Sequence, residues 1–255
     1  ADCAVVAVET AHWTDGTLFD LVAIGSRARA VGAALVVDAT QTVGARPLDV
    51  AAIRPDLLVA HAYKSMLSHY GLGFAVLGER FADGRPLEES WLMRHGAEDF
   101  SRLVDYQDAY ADGMRRYDTS LRANPMLILP LEAAATQLLA WQPARIAAYC
   151  RSICADFVDR VRTLGFGVAA DEDRAANLFG LRLPPGLDPE RVRAELATRR
   201  IHVSVRGSAV RVSPHVYNDV SDLAKLADAL SAVVARDIAR SIPVSTSPGT
   251  GRLNR

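Results

Sequence analysis

Two lysines stand among the twenty-nine basic residues of this 255-residue chain, which leaves twenty-seven arginines. Arginine stays protonated and cannot serve as an amine nucleophile. Lysine can lose its proton when desolvated and then form a Schiff base with a carbonyl. Lys64 lies in His61-Ala62-Tyr63-Lys64, directly after the apolar run Asp56-Leu57-Leu58-Val59-Ala60. Lys225 lies in an amphipathic stretch near the C-terminal end and reads as a solvated helix residue. A second apolar run ends at Asp38 and is followed by Ala39-Thr40-Gln41. In open α/β sheets ligands bind beyond the carboxyl ends of the strands. Two neighbouring parallel strands would therefore aim a carboxylate and an amine into one crevice.

Pyridoxal phosphate is one cofactor that needs both groups: a lysine for its aldehyde and an acid beside its pyridine nitrogen, which lets the ring accept carbanion charge. Gln41 is placed to donate to the ring hydroxyl. An aspartate at a strand end is also a common turn former. Its conjunction with Gln41 and with a lysine twenty-three residues further on (64 minus 41) carries more weight than either residue alone.

The elements that must position these groups follow from the apolar runs. Ala4 to Val8, Ala34 to Asp38, Asp56 to Ala60 and Phe74 to Leu77 read as strands, and Leu18 to Gly32 as a helix. Continuous rather than alternating apolar strands belong to a parallel sheet covered on both faces, and strand-helix-strand order points the same way. Pro125 to Trp141 reads as a buried helix with proline in its first turn, and Ala144 to Leu164 as a second helix stopped by Gly165. Strands at Phe166 to Ala169, Asn177 to Leu183, Ile201 to Val205 and Ala209 to Ser213 then alternate with helices at Asp188 to Arg199 and Val220 to Arg236. The expected organisation is a large α/β domain over residues 1–142, a smaller α+β domain over 143–238, and a disordered tail over 239–255 rich in Ser, Pro and Gly.

Composition narrows the function. The formal net charge is −1 and half the residues are apolar, enough for a substantial core. No basic stripe suggests nucleic acid, and no apolar run is long enough to span a membrane. Cys3, Cys150 and Cys154 form no metal pattern and read as reduced, which favours a cytoplasmic setting. A strand that begins at the first residues suggests a chain cut from something longer, so a lost leader stays open.

Val37-Asp38-Ala39-Thr40-Gln41-Thr42-Val43-Gly44, Tyr63-Lys64 and Tyr70-Gly71-Leu72-Gly73 together resemble the class V aminotransferase family. The resemblance continues through Glu98 to Ser101, Arg116-Tyr117-Asp118 and Arg211-Val212-Ser213-Pro214-His215-Val216-Tyr217-Asn218, and covers about residues 1–235. It implies a fold type I pyridoxal phosphate enzyme and a homodimer with a shared site. Lys64 would hold the internal aldimine and shuttle the substrate α-proton, Asp38 would pair with the pyridinium, and Gln41 would contact the phenolic oxygen. His61 and Tyr63 occupy phosphate-holding positions, although His61 replaces a small hydroxyl residue. Trp13 stands where desulfurases place an asparagine near the ring, with Thr14 a substitute donor. Ser120 stands where glycine is usual in a loop that reaches the partner's phosphate. Arg211 would bind the α-carboxylate of a small amino-acid substrate through two parallel hydrogen bonds, with Arg206 a weaker candidate.

The resemblance leaves the outcome open among transamination, C–S or selenocysteine lyase chemistry, a kynureninase-like reaction and epimerisation. No cysteine lies between Ile201 and Arg211, where a desulfurase carries its thiolate. The family's glycine-rich phosphate loop and ring-stacking residue are not visible, so the chain reads as the C-terminal two-thirds of such an enzyme. A non-catalytic remnant is the competing expectation. A nucleotide-binding Rossmann domain lacks its glycine fingerprint.

Overall fold

The computed structural model describes residues 3–118 and 124–241. Four strands form the first sheet: β1 (Val5–Glu9), β2 (Ala34–Asp38), β3 (Leu57–His61) and β4 (Gly73–Leu77), in that spatial order. β1, β2 and β3 run parallel, with Val5 opposite Ala34 and Val37 opposite Leu58. The crossover from β1 to β2 is α1 (Leu21–Ala30), whose first turn is capped where Asp20 Oδ1 accepts from the Ala23 N–H at 2.9 Å. A single helical turn, α2 (Val50–Ile53), precedes β3. Leu21, Ala28, Leu35, Val37, Ile53 and Leu58 make the core of this layer.

β4 departs from the expected parallel pattern. It runs antiparallel to β3, with His61 opposite Gly73. The eleven residues from Ala62 to Leu72 are too few for a helical crossover, which takes a dozen or more, so the chain folds straight back. A side chain at Gly73 would meet the Ala60 carbonyl oxygen at 2.8 Å, so close pairing here requires glycine.

Among the described residues the sheet is not covered on both faces. Val5 at one edge and Val76 in β4 are exposed. Helix α3 (Pro125–Trp141) forms over the expected span, yet it is not the expected buried helix: Leu138 is buried, whereas Met126 is 78%, Leu129 64% and Leu139 75% exposed. Apolar composition makes a helix want cover, and among the described residues little packs on most of this one.

Gln142, at φ 64°, separates α3 from α4 (Pro143–Thr163). Gly165 at φ 87° then turns the chain. The expected strand over 166–169 reduces to one bridge, in which Gly167 and Arg182 exchange backbone hydrogen bonds at 2.9 and 2.8 Å. The second sheet, antiparallel and ordered β5-β7-β6, comprises β5 (Phe179–Arg182), β6 (Ser204–Arg206) and β7 (Ala209–Val212). α4, α5 (Pro189–Thr198) and α6 (Val220–Ser241) close over one face, burying Phe157, Phe179, Leu181, Leu196, Val210 and Leu230. Cys150 and Cys154 are buried and free on α4, and burial pushes their thiols up to about 11 and about 12. Because α6 continues to Ser241, the tail expected from 239 starts inside a helix; its remainder lies outside the described residues. Among the described residues no helix is long and apolar enough to cross a membrane, and no cluster of His, Cys, Asp and Glu could hold a metal.

Candidate active site at the strand ends

Three parallel strands finish side by side at Glu9, Asp38 and His61. Asp38 Oδ1 accepts from the Thr40 N–H at 2.8 Å, which folds the chain into a tight turn after β2. Thr40 Oγ1 in turn accepts from the His61 N–H at 3.1 Å, tying the ends of β2 and β3 together. The Thr10 N–H donates to the Asp38 carbonyl at 2.9 Å, and the hydroxyls of Thr42 and Thr10 bond at 2.7 Å in the interior. The rim is thus cross-linked on both sides of Asp38.

Lys64 follows β3 in a turn closed where the Leu67 N–H donates to the Lys64 carbonyl at 2.8 Å. Leu67 sits at φ 57°, an uncommon conformation for a leucine. Burial holds the Lys64 amine below its ordinary pKa of 10.5, and the nearby Arg211 guanidinium pushes the same way; Asp38 and Glu9 oppose them. The amine therefore lies within electrostatic reach of the Asp38 carboxylate. Its Nζ is 5.7 Å from the centre of the Tyr63 ring, which stacks on Tyr70 at 4.1 Å and lies 5.5 Å from the His61 ring.

Gln41, Tyr63, Lys64 and Arg211 line one cleft of about 300 Å³. Asp38 and His61 line a neighbouring, larger cleft of about 910 Å³ over β3 and β4. The expected set is brought to one rim, but not into one cavity. Trp13 and Thr14 line neither. Thr14 Oγ1 is 2.6 Å from His12 Nδ1, so the hydroxyl expected to serve a ring is engaged within its own loop. The Trp13 carbonyl accepts from Arg211 Nη1 at 2.8 Å, and its ring lies 5.6 Å from the Arg206 guanidinium. The loop carrying both is pressed onto the small domain at Gly16 (φ 75°), where a Cβ would meet the Leu178 carbonyl oxygen at 1.9 Å. Ser120 lies outside the described residues.

Three groups at this rim were not singled out from sequence. Glu9 is opposite Asp38 in the parallel register, and burial raises its carboxyl above the usual range. Ending the first strand at Val8 left it out by one residue. Asn177, 7% exposed, donates its amide to the Gln41 carbonyl at 3.0 Å and the Ser65 hydroxyl at 3.4 Å, while its Oδ1 has no partner. His215, 6% exposed, has no partner for either ring nitrogen, and burial lowers its pKa. Both line the Lys64 cleft. Asn177 stands in a turn two residues before β5, and His215 reads from sequence only as part of the motif that follows Arg211, with no role of its own.

A lysine and carboxylates at the carboxyl ends of a mixed sheet, with an arginine reaching them from the antiparallel sheet of a small domain, fit a fold type I transferase architecture. A cysteine desulfurase from Thermococcus onnurineus NA1 superposes with a TM-score of 0.78 at 21% identity, covering 91% of this chain and 60% of that one. Ureidoglycine-glyoxylate aminotransferase from Bacillus subtilis superposes at 0.68 and 21% identity, covering 94% and 62%. The class-V aminotransferase profile matches residues 1–226, and the chain belongs to that family. Among curated relatives, the uncharacterized aminotransferase YcbU of Bacillus subtilis (strain 168) is 27% identical over 91% of this chain. The 2-aminoethylphosphonate–pyruvate transaminase of Burkholderia mallei (strain SAVP1) is 33% identical over 69% of it. The chain spans 60% and 44% of the lengths of these two relatives.

Proposed function

We propose that this chain carries the lysine-bearing part of a pyridoxal phosphate-dependent enzyme acting on a small amino acid, with amino-group transfer as the reaction. The observation that supports it most is the Lys64 amine, its pKa depressed and carboxylates within electrostatic reach, sharing a cleft with Arg211.

The donor set fits that cofactor. Asp38 keeps one carboxylate oxygen on the Thr40 N–H, which fixes its orientation and leaves the other for a protonated ring nitrogen. Gln41 is anchored through its carbonyl by Asn177, so its side chain is carried on a fixed backbone beside Lys64. His61 and Tyr63 are the groups of this chain that would meet the phosphate end. When bound, the cofactor supplies an aldehyde for the lysine and a ring that accepts carbanion charge. The protein's own contributions are then four. Arg211 holds the substrate carboxylate through its planar donors. Lys64 Nζ takes the proton from the substrate α-carbon and returns it. Asp38 keeps a proton on the ring nitrogen. The depressed pKa of Lys64 leaves more of its amine unprotonated near neutrality than that of a solvated lysine.

One feature separates this reading from desulfuration by a cysteine thiolate. Cys150 and Cys154 are buried on α4 with raised thiol pKa values, which makes poor nucleophiles. Lyase or epimerase chemistry would use the same first proton transfer. A second copy of the chain belongs to the reading as partner, and the exposed apolar side chains of α3 support it.

The test is spectroscopic. Added pyridoxal phosphate is expected to bind the chain one to one and give a visible absorbance band that Lys64→Ala lacks. A band of equal strength in Lys64→Ala contradicts the assignment. Failure of the chain to bind the cofactor at all favours the non-catalytic remnant.

A further inference from the structure

Several other arginines of the small domain are neutralised, although Arg145, Arg151, Arg182 and Arg200 have no ion pair among the described residues. Arg160 pairs with Asp228 at 2.7 Å, Arg191 with Asp237 at 2.6 Å and Arg236 with Glu195 at 2.9 Å. Arg206 and Arg211 have no carboxylate within ion-pair distance among the described residues, and the Nε of each has no partner. They are also neighbours. Arg206 is opposite Ala209, and Arg211 lies two residues along the same strand. That is a diagonal pair on one sheet face, roughly 7–8 Å apart at the backbone. The opposite face carries Val205 and Val210 into the core, so both guanidinium groups are turned away from it, toward the first domain.

Trp13 holds the two together. Its carbonyl accepts from Arg211 Nη1 and its ring faces Arg206. Two partly buried guanidinium groups side by side repel each other, and the Lys64 amine adds a third positive charge nearby. Arg206 lines a cleft with Asp15, while Arg211 lines the Lys64 cleft; the Asp15 carboxylate accepts from the Thr17 N–H at 3.0 Å and sits 3.6 Å from His12 Nδ1. The face is a cationic pair without an anion.

We propose that Arg206 and Arg211 act as a pair that binds two acid groups of one substrate, so that the site prefers amines carrying two anionic groups, such as amino dicarboxylates, over monoacids. Arg211 takes the acid group next to the reacting carbon, and Arg206 takes the distal one. Trp13 is the positioning residue for both. The inference rests on the reading of Lys64 as the reactive amine.

Binding of succinate and propionate to the chain, measured by titration calorimetry, tests it without the cofactor. Succinate is expected to bind the wild type about tenfold or more tightly than propionate. Arg206→Gln should bring succinate down to the propionate level while leaving propionate unchanged. Arg206→Lys, which keeps the charge without the planar fork, should fall between. Arg211→Gln should weaken both. Equal affinities on the wild type, or an Arg206→Gln variant that weakens both ligands alike, would overturn the proposal. If Arg206→Gln does not retain the wild-type circular dichroism spectrum, the succinate-to-propionate ratio of Arg206→Lys decides: an undiminished ratio overturns it. Because these affinities are read without the cofactor, loss of the cofactor reading and loss of the arginine pair give different results.

Discussion

The two domains solve the same packing problem to different degrees. In the small domain three helices close over one sheet face, and Phe179, Leu181, Leu196, Val210 and Leu230 are wholly inaccessible. In the first domain β2 is equally dry at Leu35 and Val37, yet β1, β4 and α3 turn Val5, Val76, Met126 and Leu129 outward. The site straddles this contrast. Its amine and carboxylates sit on the partly covered layer, and its arginines on the closed one. Stability should therefore be concentrated in the half that fixes Arg211.

Phe179→Ala is the strongest way to break that contrast. It empties a fully buried position and should cost about 3–5 kcal/mol in denaturant unfolding. Met126→Ala, at an exposed position, should stay within about 0.5 kcal/mol. If the two variants unfold alike, the asymmetry is wrong.

The seam between the halves comes next. Gly16→Ala needs both a left-handed conformation and space held by the Leu178 carbonyl. It should cost more than about 1 kcal/mol and loosen the loop that carries Trp13, read as faster amide exchange at residues 12–17.

The smaller effects concern pH. The pKa of His215 is lowered by burial from 6.5, so the unfolded chain binds its proton first as pH falls. Its contribution is fully present above about pH 6.5 and is lost as pH drops from there toward the folded value. His215→Gln should therefore flatten the fall of Tm on mild acidification. Lys64 has the same sign at the other end. Its amine sits below 10.5, so stability rises with pH between the folded value and 10.5, and Lys64→Met removes that slope. A Tm profile unchanged in both variants would show that neither group is held as described.

Much of this arrangement can be read from the chain because buried parallel strands announce their carboxyl ends. The apolar runs ending at Asp38 and before Lys64 sufficed to bring an acid and an amine to one rim. What composition cannot say is whether a neighbour exists. Pro125 to Trp141 has the sequence of a covered helix, and its exposure depends on what packs against it. The direction of β4 was set by connection length rather than by its residues. Glu9 was missed because strand ends blur by a residue, and a one-residue difference decides which side chain reaches the rim. Trp13 was expected beside a ring; its actual partners, Arg206 and Arg211, lie about two hundred residues away, beyond any local pattern.

Chemical trapping tests the central claim most directly. The chain is loaded with pyridoxal phosphate, treated with borohydride, digested and mapped by mass spectrometry. A pyridoxyl increment on the peptide containing Lys64, with Lys225 unmodified, is the result this account predicts. Equal labelling of both lysines, or none at Lys64, would contradict it.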